Sequence, residues 1–277
     1  MSGIVKQGSE VAGPMAAPQV CVSLFGHTVE EMLQDAALAT AAGADLVEVR
    51  FDNLWVSRFE IKQEPSEDER RSQAPEYGYE PQPFDSVDPV TALETLKTGI
   101  RLPVIFTCRS QTERGHFGGD EEARMSILRT AIDSGVSWVD LEVAIERSVR
   151  DELVDSCADR TKVIASQHLT STPPADEIVD LVESQQSSGN LVKVCCATST
   201  HGDALRLFEA AWRLRDSEHR YAIMGDGVGG DWPRIHSPIL GQALIYSTME
   251  QGWHLSRRGQ MNLEDLQLAW ELLEYDI

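Results

Sequence analysis

KVIASQHLTSTPPADEIVDLVESQQSSGNLVKVCCA, residues 162–197, decides the architecture. Two β-rich runs, KVIASQH (162–168) and LVKVCCA (191–197), flank a helical pattern that starts near Pro174. A strand, a helix and a second strand at this spacing form a βαβ unit, which makes the two strands parallel neighbours in one sheet. The alternation continues on both sides. Upstream lie VCVSLF (20–25), DLVEVRFD (45–52), VIFTCR (104–109) and WVDLEV (138–143). Thr28 to Glu31 reads as a capping box opening a helix to Ala42, and further helices are predicted over 121–134 and 145–158. Downstream come a helix over 203–216, the strand YAIMG (221–225), a helix around 236–250 and WHLS (253–256) as a weak eighth strand. Asn262 begins a last helix with Leu266, Ala269, Trp270 and Leu273 on one face.

Eight such units in about 260 residues predict an α/β fold, a single-domain (β/α)8 TIM barrel over residues 19–277. An open doubly wound sheet is the runner-up, and the lack of GxGxxG after the first strand argues against its dinucleotide-binding form. Residues 1–18 read as a flexible tail. Residues 54–90 hold five of the twelve prolines and nine acids without sustained periodicity, so they read as an acidic, Pro-rich insertion leaving the barrel, with a lid as the alternative.

The 277 residues carry 45 acids against 24 bases, a net charge of −21, and only five lysines. A field of that sign repels phosphate backbones and excludes a nucleic-acid partner. Acid-rich, lysine-poor surfaces suit high salt, where screening shortens to about 3 Å at 1 M, although selection for solubility yields the same composition. No run approaches the ~18 apolar residues of a membrane span, and the N-terminus has no signal-peptide core. Five cysteines, two of them adjacent (Cys195 and Cys196) and none in CxxC, suit neither a disulfide framework nor a zinc cage. These features predict a cytoplasmic protein with no metal and no cofactor.

In a parallel barrel the site forms at the C-terminal ends of the strands from side chains of inward parity. Glu48, Arg50 and Asp52 recur at period two, an expensive arrangement inside a barrel unless the charges pair or bind something; a structural ion-pair network is the competing explanation. Arg109 ends the third strand, and Ser166 and His168 end the fifth. Lys193 sits between apolar neighbours in a chain that almost avoids lysine. Burial disfavours the charged amine, and nearby arginines would depress its pKa further, producing a nucleophile suited to a Schiff base with a carbonyl substrate. The glycine-rich MGDGVGGDWPR (224–234) either cradles phosphate or carries Arg234.

Taken in order, VSLFG (22–26), EVRFD (48–52), FTCRSQTERG (106–115), DLE (140–142), SQH (166–168), KVCCAT (193–198), MG…R (224–234) and S-x-x-G-Q (256–260) resemble type I 3-dehydroquinate dehydratase, the Schiff-base enzyme of the shikimate pathway. The resemblance implies that Lys193 forms an imine with 3-dehydroquinate, that His168 serves as general base and then acid, and that Glu113 orients it. It also implies that Arg234 holds the substrate carboxylate, while Ser23, Glu48, Arg50, Arg109, Ser256 and Gln260 bind ring hydroxyls or order the site. A homodimer is the family's usual assembly. Two other readings stand beside this one: a class I aldolase sharing barrel and lysine, and a relative that binds dehydroquinate without turnover.

Overall fold

In the computed structural model, which describes residues 17–61, 76–252 and 254–275, strands and helices alternate along the chain. The order is β1 (Gln19–Leu24), α1 (Val29–Ala41), β2 (Leu46–Arg50), β3 (Val56–Ile61), β4 (Glu76–Pro81), α2 (Pro89–Gly99), β5 (Val104–Thr107), α3 (Glu121–Asp133), β6 (Trp138–Glu142) and α4 (Arg147–Cys157). It continues with β7 (Lys162–Leu169), α5 (Ala175–Ser184), β8 (Leu191–Thr198), α6 (His201–Leu214), β9 (Tyr221–Gly227), α7 (Trp232–Ile235), β10 (Leu244–Ser247), α8 (His254–Arg257) and α9 (Leu263–Leu272). Eight strands form one parallel sheet in the order β10-β1-β2-β5-β6-β7-β8-β9. Ala243 N–H donates to the Tyr221 carbonyl at 3.0 Å where the two ends meet, so the barrel is nearly closed. This is the predicted single-domain (β/α)8 architecture. No helix among the described residues is long and apolar enough to cross a membrane.

The period-two alternation of each strand divides the barrel interior into layers. The lowest is apolar: Cys21, Leu46, Ile105, Trp138, Ile164, Leu191, Ala222 and Leu244 pack together. Two residues further along the same strands stand Ser23, Glu48, Thr107, Asp140, Ser166 and Lys193. The polar layer therefore rests on a dry floor, Arg50, His168 and Cys195 continue the inward face above it, and the alternate strand residues face outward into the helices.

Three local features depart from the sequence reading. The eighth strand is Leu244–Ser247, inside the predicted helix 236–250, while His254–Arg257, overlapping the predicted strand 253–256, form a helical turn. Leu244 to Ser247 pair with Gln19 to Val22, and this non-local ladder overrides a local pattern that a short apolar run leaves ambiguous. Thr28 caps α1 by accepting from Glu31 N–H at 3.1 Å, but the Glu31 carboxylate answers to His27 N–H rather than to Thr28. Within the insertion, β3 and β4 pair as an antiparallel ribbon, and α2 begins at its end, capped by Asp88. Trp55 anchors the ribbon's base, donating from Nε1 to the Phe84 carbonyl at 2.9 Å, stacking on the Phe84 ring and meeting Phe117 edge-to-face. The expected tail at 1–18 lies outside the described residues up to position 16, as do residues 62–75 of the expected excursion.

Candidate active site

Lys193 rises from the middle of β8 into the polar layer and is 4% exposed. Its Nζ donates to Glu48 Oε1 at 3.2 Å and Asp140 Oδ2 at 3.4 Å, and lies 4.0 Å from the centre of the Tyr246 ring. The charged atoms closest to the amine are thus carboxylates, not the guanidiniums expected from the sequence. Strand register explains this, because Glu48 and Asp140 occupy the same interior layer as Lys193. Glu48 is held by the Ser23 and Thr107 hydroxyls at 2.7 and 3.0 Å. Burial alone would raise its carboxyl, but Lys193, Arg50, Arg109 and Ser23 overcome that and draw it down to about 2.

Arg109, 3% exposed, stands behind Asp140. It donates to Asp140 Oδ2 and Ser166 Oγ, both at 3.0 Å, and lies 3.5 Å from Glu113 and 3.6 Å from Glu142. Arg50 pairs with Asp52 through two bonds of 3.0 and 2.8 Å. Asp52 does not stay on the strand face that the period-two pattern suggested. The chain turns into a 3-10 helix at Phe51, and from there Asp52 also accepts from Arg109 N–H and His116 N–H, tying the loop after β5 to the end of β2.

His168 and Glu113 meet at the rim, with Nδ1 and Oε2 2.8 Å apart. Burial, helped by Arg109, Lys193 and Arg50, drives the imidazole well below its ordinary range. Burial, then Glu142 and Asp140, pushes the Glu113 carboxyl up to about 7 against the pull of Arg109. Below that pH the pair is neutral and shares one proton across the short contact. A protonated Glu113 donates to Nδ1 and leaves the ring proton on Nε2. An ionised Glu113 accepts from Nδ1–H and frees the Nε2 lone pair. Only the second state has a base at Nε2.

Arg234 lies at the far wall, 4% exposed. Its donors go to the carbonyls of Gly259 (2.7 Å), Tyr246 (3.1 Å) and Gly225 (3.1 Å) and to Met224 Sδ (3.3 Å). No carboxylate pairs with it among the described residues. Close backbone packing makes this cradle. Gly259 has φ +67°, and a Cβ there would meet the Gly225 and Gly227 carbonyls at 2.8 Å. The glycine-rich loop accordingly presents carbonyls to a cation. Its N–H groups at Gly227, Val228 and Gly230 are committed to the carbonyls of Arg258, Thr198 and Gly227, so these three do not serve a phosphate cradle.

Ser23, Glu48, Arg50, Arg109, Glu113, His168, Lys193, Arg234 and Gln260 all line one cavity of about 300 Å³ at the C-terminal mouth of the barrel. Ser256 does not. It is exposed on α8, and its hydroxyl donates to Asp231 Oδ2 at 3.1 Å. Asp140 and Tyr246 are neighbours of Lys193 to which the sequence reading gave no role. Asp140 shares inward parity with Glu142 in WVDLE, the pattern that drew notice to Glu48 and Arg50. Tyr246 was hidden by reading its strand as helix. Arg114 and Asp226 also line the cavity and pair across its mouth at 3.2 Å.

A family model described as Type I 3-dehydroquinase matches residues 20–276. The chain belongs to this family. It is 27% identical over 264 residues to the 3-dehydroquinate dehydratase of Klebsiella pneumoniae, covering 92% of each. It is 25% identical over 251 residues to the bifunctional 3-dehydroquinate dehydratase/shikimate dehydrogenase of Arabidopsis thaliana, of which it spans 36%. Among solved structures, the type I 3-dehydroquinate dehydratase of Clostridium difficile superposes with a TM-score of 0.73 at 23% identity, covering 94% of this chain and 93% of that one. The overlay supports the barrel topology.

Proposed function

We propose that the chain dehydrates 3-dehydroquinate to 3-dehydroshikimate through a Lys193 Schiff base, in the shikimate pathway. One observation carries this reading: a buried lysine and a histidine–carboxylate pair open into the same cavity. The ammonium of Lys193 and the substrate ketone give a protonated imine and one water. The iminium acidifies the adjacent carbon by accepting its electrons. His168 Nε2 removes the proton there, giving an enamine, and the imidazolium returns it to the departing hydroxyl as the second double bond forms. Water then hydrolyses the conjugated iminium, restoring the ammonium and releasing the enone, so the net change is loss of one water. Glu48 and Asp140 hold the amine in place, and Glu113 sets the tautomer of His168. Arg234, a buried cation with one N–H still free and no carboxylate partner among the described residues, suits the substrate carboxylate.

The deciding experiment mixes the purified protein with 3-dehydroquinate and follows ultraviolet absorbance of the enone, then adds borohydride and maps the adduct by mass spectrometry. Enone growth with the adduct on Lys193 is the expected result. Two fragments instead of an enone would reinstate the aldolase reading, and binding without turnover the sensor reading.

The Glu113–His168 geometry predicts a pH profile. Turnover rises about tenfold per pH unit below pH ~7, as Glu113 ionises and frees Nε2, and levels off above it. Glu113→Gln accepts from Nδ1–H at every pH, so its profile loses the limb near 7. An unchanged limb in that variant would assign it to another group. The net charge predicts a salt effect as well. The −21 field opposes approach of an anionic substrate, so kcat/KM rises as ionic strength increases from low values. A steady fall across the same range would show that the local arginines dominate capture.

A further inference from the structure

Outside the barrel, between α4 and the turn joining α5 to β8, lies a cleft of about 420 Å³ that shares no lining residue with the catalytic cavity. Its walls include Arg147, Arg150, Asp151 and Val154 on one side and Ser184, Gln185 and Ser188 on the other. Arg150 is 6% exposed. One of its terminal nitrogens donates to the Ser188 carbonyl at 2.6 Å, its Nε has no acceptor, and it makes no ion pair among the described residues. The equally buried Arg109 and Arg124 each rest on carboxylates. Arg234 shares the lack of one, and it faces the substrate cavity. Burial lowers the pKa of Arg150, with Asp151 and Asp140 opposing only in part.

A buried guanidinium with no carboxylate in ion-pair contact among the described residues and with an idle N–H is costly to keep, because removal from water is repaid only when opposite charge and acceptors replace the solvent. We propose that this cleft is a second, non-catalytic binding site for a small oxyanion, a phosphate or carboxylate group, with Arg150 as its buried anchor. The planar fork of guanidinium matches two oxygens of such a group. Arg147 stands at the rim, only loosely paired with Asp151 at 3.8 Å, and adds a second positive charge. The volume admits a metabolite-sized molecule rather than a bare ion.

The test is thermal unfolding of the full chain in inorganic phosphate and in malonate, each against chloride at matched ionic strength and pH. A ligand that binds only the folded state raises Tm with its concentration, by about 3 °C or more at saturation. The wild type is expected to show this rise, Arg150→Gln to lose it, Arg150→Lys to keep a weaker one, and Arg234→Gln to keep it whole. Where Arg234→Gln fails to fold, inhibition kinetics replace it: an anion in the outer cleft leaves the apparent KM for substrate unchanged, while one in the catalytic cavity competes with substrate. Phosphate and malonate acting alike would define the group as a general oxyanion, and one acting alone would name it. A rise that survives Arg150→Gln, or no rise in the wild type, overturns the proposal. No rise together with a change of sedimentation in Arg150→Gln also overturns it, because a carboxylate from a second copy would then be the partner.

Discussion

Lys193→Arg is expected to reduce kcat/KM for 3-dehydroquinate by about 10⁴-fold or more and to abolish borohydride-trapped adduct, while the protein still folds. Guanidinium keeps the positive charge between Glu48 and Asp140 but does not form an imine with a ketone. Lys193→Met removes the charge as well and leaves two buried carboxylates short of a partner. Both keep other donors, from Ser23 and Thr107 on Glu48 and from Arg109 and Ser166 on Asp140, so the stability loss falls at or below the ~3–5 kcal/mol of a broken buried pair. Circular dichroism separates the two effects: equal loss of activity in both variants with unequal loss of Tm is the expected pattern. Turnover by Lys193→Arg, or an adduct on any of the other four lysines, would refute the Schiff-base assignment.

His168→Gln is expected to lower kcat by about 10²–10⁴-fold and to leave trapping intact. In the proposed mechanism the imidazole moves a proton at carbon after the imine exists, whereas imine formation needs only Lys193 and the ketone. Incubation with substrate followed by borohydride is therefore expected to yield an adduct of substrate mass, since dehydration has become slow. The variant also isolates Glu113, whose ionisation near pH 7 loses its imidazole partner. If trapping disappears with turnover, His168 acts at imine formation, and the order of steps proposed for it is wrong.

These expectations rest on residues that differ in how plainly they could be read beforehand. Lys193 and His168 lie on strands with clear alternation and clean boundaries, so their inward parity follows from position alone. Glu48 and Arg50 were visible for the same reason, because charge at period two inside an apolar strand has few physical uses. Tyr246 and Ser256 were not. LIYS is too short for periodicity to separate helix from strand, and pairing with residues more than two hundred positions away makes it β10. That misplacement carried over to WHLS, where a helical turn sends Ser256 to Asp231 and away from the cavity.

Local pattern determined the alternation of strands and helices, the parity of each strand and hence which side chains face inward, because these depend on residues a few positions apart. Closure of the barrel, the layer in which Glu48, Asp140 and Lys193 meet, and the partners of each charge required the folded structure. Those depend on strand register, and register joins Ser23 to Glu48 and Ser166 to Lys193 across tens of residues of intervening chain. The protonation states followed from that step: Glu113 near 7 and a depressed His168 exist only where burial and neighbouring charges act together on one cavity.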